Sequence, residues 1–391
     1  MPGALNGFRI VDCTQMIAGP LATMILGDQG ADVIKVEPPG GGDLTRALGG
    51  TIGISPTFAT SNRNKRSIVI NLKIPSGVGL LKRLVATADL FVQNFRPGAA
   101  DRIGIGEPAL RAVKHDLIYV SISGFGETGP YVHKRVYDPV VQALSGLASI
   151  QADPNGRPRM MRLIVPDKIT ALTAAQAMTA ALLARERTGK GQHVRLAMLD
   201  AVVSFLWPEA MAGHTFVRNK NAAVRQARRD LIYETRDGYI TAGAVSDSEW
   251  QGMARALEHP EWAVDPRFST PAARIRNVEL RLEMTAQVLK LRTSAEWLAR
   301  LDREQVPCAP VNSREDLLSD PQVRENGLIV ETDHPYAGRM RQTRPAARFE
   351  ETPADLRRPA PTLGEHTDEV LREAAVSAHE IRLLREAGVI G

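Results

Sequence analysis

The sequence predicts an α/β chain, with a large domain built on a parallel sheet and a smaller α+β domain placed late in the chain. Three observations carry this reading. Short apolar runs alternate with helical stretches of about 10 to 15 residues through the first third, the signature of βαβ units. The 391 residues exceed the roughly 150 of one domain. At 43% hydrophobic and 24% charged residues, the composition is that of a folded chain.

The elements follow in order. Residues 8–12 read as a short buried strand. Pro20 stands where a helix begins, residues 21–29 are apolar at helical spacing, and Gly30 follows as a stop. Strands are predicted at 32–36, 67–72, 90–92 and 117–121, with helices at 75–86 and 107–113 between them. The helix at 169–187 is apolar or small almost all round, rich in alanine, and is predicted to be buried, with Gly189 ending it. A strand at 193–198 and a helix at 199–207 complete a first part spanning 1–217. Residues 218–229 are basic without apolar periodicity and read as a linker. It leads into a small α+β domain ending near 325, with a strand at 239–241 and helices at 249–257, 278–291 and 294–304. Residues 326–391 return to the large domain. Within them 338–361 read as loop, and 368–374 and 378–387 as helices.

Charge and cysteine usage exclude several classes. Lys plus Arg is 49 against 44 for Asp plus Glu, and a net charge of +5 is too small and scattered to indicate nucleic acid. It suits a small anionic ligand. Cys13 and Cys308 alone make neither a disulfide framework nor a cysteine-rich zinc site, so a reducing cytoplasm is expected. The longest uncharged runs, 47–62 and 169–184, are 16 residues each. They fall short of the roughly 20 that a spanning helix needs, so no membrane partner is expected. Residues 1–9 show no basic region before an apolar core, and no secretory leader is expected.

Four segments are candidates for chemistry. Gly124-Phe125-Gly126-Glu127-Thr128-Gly129 has the spacing of a dinucleotide fingerprint, but no helical periodicity follows it. A loop lining a ligand crevice at the end of a strand is the better reading, with an NAD-dependent dehydrogenase as the alternative. Asn62-Arg63-Asn64-Lys65-Arg66 reads as a solvated turn, or else as a phosphate contact. Asn94-Phe95-Arg96-Pro97-Gly98 follows a strand, where Phe95 either stacks on a base or joins the core. Asp167, ahead of the alanine-rich helix, is either a helix cap or a carboxylate held ionised by the helix dipole for attack on a carbonyl.

These segments, with others in the same order, resemble the class III CoA-transferases, the formyl-CoA and carnitine CoA-transferase type. The match runs through Asp12, Ala18-Gly19-Pro20, Gly30 to Glu37, Gly42-Asp43 and Thr45-Arg46. It continues through Asn62 to Ser67, Asn94 to Gly98, Ser123 to Gly126 and Gly129-Pro130. Tyr137-Asp138, Asp167, Arg187 to Gln192 and Leu363 to Thr367 complete it, so it covers nearly the whole chain.

The resemblance implies transfer of coenzyme A from an acyl-CoA to a free carboxylic acid through an anhydride on Asp167, with no prosthetic group. It implies CoA contacts at Ala18, at Ile70, Asn71, Leu72 and Lys73, at Asn94, Phe95, Arg96 and Arg102, and at Lys134, Arg135 and Tyr137. It further implies a Rossmann-like large domain and a homodimer of interlinked rings. Gln15 and Pro38 replace a histidine and an arginine of the formyl-CoA enzymes, which argues against formate or oxalate as substrate. The same family holds α-methylacyl-CoA racemases, the alternative function. They carry histidine where this chain has Tyr137, and a phenol, with a pKa near 10, is a poor base at neutral pH.

Overall fold

The structure is a computed structural model that describes residues 2–49, 54–153, 155–217 and 230–391. Six parallel strands form one sheet: β1 (Arg9–Asp12), β2 (Asp32–Glu37), β3 (Lys65–Val69), β4 (Leu90–Gln93), β5 (Ile118–Ser123) and β6 (His193–Ala197). Their spatial order is β3-β2-β1-β4-β5-β6. The chain winds outward from β1, then restarts beside it at β4 and winds the other way. In sheets of this kind ligands bind beyond the carboxyl ends of the two strands flanking the reversal. Here those ends are residues 13–17 and 94–98.

Alternation along the strands builds two apolar layers. Val11, Ile34, Ile68, Phe91 and Tyr119 face Leu80, Leu81 and Leu84 of helix 75–85, together with Leu371 and Ile381 near the C-terminus. Ile10, Val33, Leu90, Val92, Ile118 and Val120 face helix α1 (Ala18–Asp28) and helix α2 (Val165–Thr188). The small residues Ala171, Ala174, Ala175 and Ala181 line the buried side of α2. That helix is not buried all round as its composition predicts. Leu172 and Leu183 on its other side are 62% and 52% exposed, because within one chain only one side of the helix has a layer to pack on.

Two other expectations are corrected. The third strand spans Lys65–Val69 rather than 67–72, since the chain turns at Asn71, whose side chain accepts the Lys73 N–H. Residues 338–343 are not loop: Gly338–Thr343 pairs antiparallel with Ile329–His334. Both strands are polar, and the ion pairs of Glu331 with Arg339 and Arg341 cross between them. The hairpin therefore lacks the apolar run that marks a strand in sequence.

Met1–Gln151, Arg159–Glu209 and Asn326–Gly391 form one compact unit, and Ala152–Pro158 with Ala210–Glu325 form another. The second holds a three-stranded antiparallel sheet (Ile232–Glu234, Tyr239–Ala242, Cys308–Pro310) and a core around Trp250, Phe268 and Trp297. Three of its helices start on reciprocal capping boxes, Ser246 with Glu249, Thr293 with Glu296 and Ser313 with Asp316. The predicted linker at 218–229 lies outside the described residues.

Candidate active site

The carboxyl ends of β1, β4 and β5 open onto a cavity of about 630 Å3. Its walls come from Gln15 to Ala18 after β1, Asn94 to Pro97 after β4, Ile122 to Gly126 at the end of β5, and Val132 to Tyr137 ahead of helix α3 (Asp138–Leu144). Asp167 contributes from the first turn of α2. The loop at 124–129 is followed in the chain by no helix until Asp138, so it does not open a helix as a dinucleotide fingerprint does. It lines the crevice instead. A side chain at Gly124 would strike Val136, at 2.4 Å from its Cγ1, so glycine lets the two walls close on each other.

Asp167 is not the helix cap. Ile164 holds that position without a side-chain bond, and Asp167 is the third residue inside the helix. Its carboxylate faces the backbone N–H of Ala18, the first residue of α1, while its own N–H points at Asp138 Oδ2, 3.4 Å away. Nor does the helix dipole keep this group strongly acidic. Burial, and then the charge of Asp138, raise its pKa to about 6, and the Ala18 N–H only partly offsets them. Asp138 is itself pushed up by burial, although Gln142 donates to it at 2.6 Å. Asp167 is thus ionised at neutral pH yet poorly solvated, the condition in which a carboxylate is a usable nucleophile.

Eight of the twelve expected CoA contacts line the cavity with Asp167: Ala18, Asn94, Phe95, Arg96, Arg102, Lys134, Arg135 and Tyr137. No carboxylate among the described residues pairs with Arg96, Arg102, Lys134 or Arg135, so their charge is available to an anion. Phe95 packs against the core on one side and lines the cavity on the other. Ile70, Asn71, Leu72 and Lys73 do not reach the cavity. Ile70 is buried and bridges to Ile390, and the Asn71 N–H bonds to Val389 O, so this stretch ties down the C-terminus.

The basic run 62–66 is neither a solvated turn nor a phosphate site. All five residues are buried, and Arg63, Lys65 and Arg66 pair with Asp28, Asp12 and Asp32 at 2.7, 2.9 and 2.6 Å. Gln15, Met16, Leu44, His133 and Met198 line the cavity without having been singled out as contacts. Asp138 was legible only as a motif neighbour of Tyr137. Its place before Pro139 at a helix start is the one local signal of its position. No cluster of three or more His, Cys, Asp or Glu side chains suited to a metal occurs among the described residues.

A doubly wound sheet with a half-buried carboxylate and unpaired cations at its reversal is the arrangement of an enzyme with room for an anionic ligand. The chain belongs to CoA-transferase family III, whose model matches residues 5–367. It is 36% identical to the succinyl-CoA:glutarate CoA-transferase of Mus musculus over 94% of this chain and 86% of that protein. To the succinate–glutarate CoA-transferase of Agrobacterium fabrum it is 36% identical, over 94% and 95%. The formyl-CoA:oxalate CoA-transferase of Escherichia coli is 32% identical over 99% of both chains. Among solved structures, Rv3272 from Mycobacterium tuberculosis superposes with a TM-score of 0.83 at 30% identity, covering 94% of this chain and 98% of that one. A CAIB/BAIF family protein from Brucella suis gives 0.82 at 32%, covering 96% and 100%. The chain is a CoA-transferase, and no helix among the described residues is long and apolar enough to cross a membrane.

Proposed function

We propose that the enzyme moves coenzyme A between carboxylic acids by covalent catalysis on Asp167, with no prosthetic group. The single observation that carries this reading is the Asp167 carboxylate at the cavity wall, facing the Ala18 N–H and poorly solvated. A carboxylate oxygen attacks the thioester carbonyl, the C–S bond breaks, and CoA leaves as thiolate. The thiolate then attacks the aspartyl carbonyl of the anhydride, releasing the donor acid and leaving an aspartyl thioester. The incoming acid repeats the sequence in reverse, so each step exchanges acyl groups of similar energy. Arg96, Arg102, Lys134 and Arg135 supply charge for the phosphates of CoA, while Ala18, Asn94, Phe95 and Tyr137 line its path. The relatives' names favour short dicarboxylates as the acid pair.

Hydroxylamine added with succinyl-CoA is expected to trap a hydroxamate on Asp167, read by peptide mass spectrometry. An enzyme that transfers CoA to glutarate with no label on Asp167 would remove the covalent route.

The same reading includes an interlinked homodimer in the cytoplasm. The chain leaves its larger unit at Glu209 and re-enters it at Asn326, and apolar side chains on helices of that unit stand exposed: Leu172, Leu183, Phe205 and Trp207. The free thiols Cys13 and Cys308 suit a reducing compartment. Sedimentation across a wide dilution range is expected to show one dimeric species. A monomer that appears reversibly at nanomolar concentration is the contrary result.

A further inference from the structure

The turn between β1 and α1 has an unusual course. Met16 sits at φ +68°, in the left-handed region that a residue other than glycine adopts only where its surroundings impose it. Side chains from three other segments do so here, one backbone group at a time. Asp12 Oδ1 accepts the Thr14 N–H at 2.8 Å, and Lys35 Nζ on β2 donates to Thr14 O at 2.9 Å. Asn94 after β4 clamps Gln15 through both atoms of its amide, accepting the N–H at 2.9 Å and donating to the carbonyl at 2.8 Å. Asp43 Oδ1 accepts the Met16 N–H at 3.2 Å, while its Oδ2 pairs with Lys35 Nζ at 2.9 Å.

Lys35 and Asp43 are wholly buried as a pair and absent from the cavity wall. Together they hold both ends of the turn, Thr14 and Met16. Two residues further on comes Ala18, whose N–H meets Asp167. Gly19 next to it has no room for a side chain, since a Cβ would lie 2.3 Å from that of Thr14. The start of α1 is therefore seated directly on the turn.

We propose that Asp43 is a positioning residue for the transfer reaction: with Lys35 it holds the turn at 14–16 in its left-handed course and so keeps the Ala18 N–H facing the Asp167 carboxylate across the cavity wall they share. The proposal rests on Asp167 acting as the nucleophile. Releasing the turn withdraws a donor from that carboxylate, which favours its neutral, unreactive form. Asp167 otherwise faces Asp138 from α3, and His133, Lys134, Arg135, Tyr137, Arg96 and Arg102 around the cavity. Asp43 faces Lys35, in company with Asp12, Glu37, Arg46 and Lys65. Of these, Asp12 also bonds the turn at Thr14 and stands beside Lys35 in the sheet, but Asp43 is the one that holds the Met16 N–H.

The test is the pH dependence of kcat/KM for succinyl-CoA with glutarate, which reports the free enzyme. In Asp43→Ala the acidic limb is expected to move up by about one pH unit, with a loss of about tenfold below the limb. At pH 8, where Asp167 is ionised regardless, the rate should return to within about threefold of the parent, with KM for succinyl-CoA unchanged. Asp43→Asn keeps an acceptor for the Met16 N–H and should shift the limb by less; it also serves if the alanine variant does not fold. A folded variant whose limb stays in place, or whose rate falls equally at every pH, overturns the positioning role. Hydroxylamine trapping in the same samples separates the two readings: label on Asp167 with an unmoved limb defeats only the role of Asp43, and no label in the parent defeats the nucleophile.

Discussion

Asp167→Asn is expected to lower the transfer rate by at least about a thousandfold, roughly 4 kcal/mol of barrier, while making the protein more stable at neutral pH. The first half follows from chemistry, since an amide cannot form the anhydride. The second follows from the burial of the carboxyl group beside Asp138. Its folded pKa of about 6 lies above the ordinary value of 3.8, so the native state holds a proton that the unfolded chain has released. Stability therefore falls as pH rises from about 4 to about 6 and stays lowered above that. Neutral asparagine escapes the penalty. Allowing for partial exposure of the site, the gain at pH 7.5 is on the order of 2 kcal/mol, and it disappears at pH 4. Thermal unfolding at the two pH values, beside steady-state transfer, checks both halves. A variant that keeps a near-native rate, or that loses stability at pH 7.5, would make Asp167 a structural acid instead.

This opposition between stability and activity was not legible in the sequence, and the reason is specific. Asp167 ahead of an alanine-rich helix suggests a carboxylate stabilised by the helix dipole. What raises its pKa instead is burial and Asp138, 29 residues earlier in the chain. The sheet, by contrast, was readable because each parallel strand buried on both faces is a continuous apolar run, as in Leu90-Phe91-Val92. Its order, and with it the cavity at the reversal, emerges only from the strand pairing. Local reading failed wherever partners are remote. Arg63, Lys65 and Arg66 look like a solvated basic run, yet their acidic partners lie 35, 53 and 34 residues away. The hairpin at 329–343 failed for a related reason, since its stabilising pairs are cross-strand charges that leave no apolar trace. The polar frame beneath the site, Asp12, Lys35, Asp43 and Lys65, appeared only as motif letters. Its function as a buried frame emerges from distances.

Asp12→Ala is expected to destabilise the protein by about 3–5 kcal/mol, because it strands a buried ammonium. Asp12 is fully buried at the end of β1 and accepts from Lys65 Nζ at 2.9 Å, from Thr23 Oγ1 at 2.7 Å and from Thr14 at both its N–H and its hydroxyl. Burial by itself would raise its pKa, but Lys65, Lys35 and the two hydroxyls outweigh that and hold it well below the usual carboxylate range. Its contribution is therefore present above the unfolded value of 3.8 and is lost only as pH falls below that. Without Asp12, Lys65 retains Pro20 O and the Asn62 side chain as acceptors but no countercharge of its own, whereas Lys35 still has Asp43. A loss of that size is a large share of the roughly 5–15 kcal/mol that separates folded from unfolded chains. Replacing the ammonium as well, in Asp12→Ala/Lys65→Met, removes the stranded charge and should recover most of the loss, as an apolar pair of similar volume commonly does. Calorimetric melting of the parent, the single variant and the double variant at pH 7 measures the difference. If the double variant melts no higher than the single one, the cost lies in lost packing and the Thr14 and Thr23 hydrogen bonds, and the charge of Lys65 is not what Asp12 is there to balance.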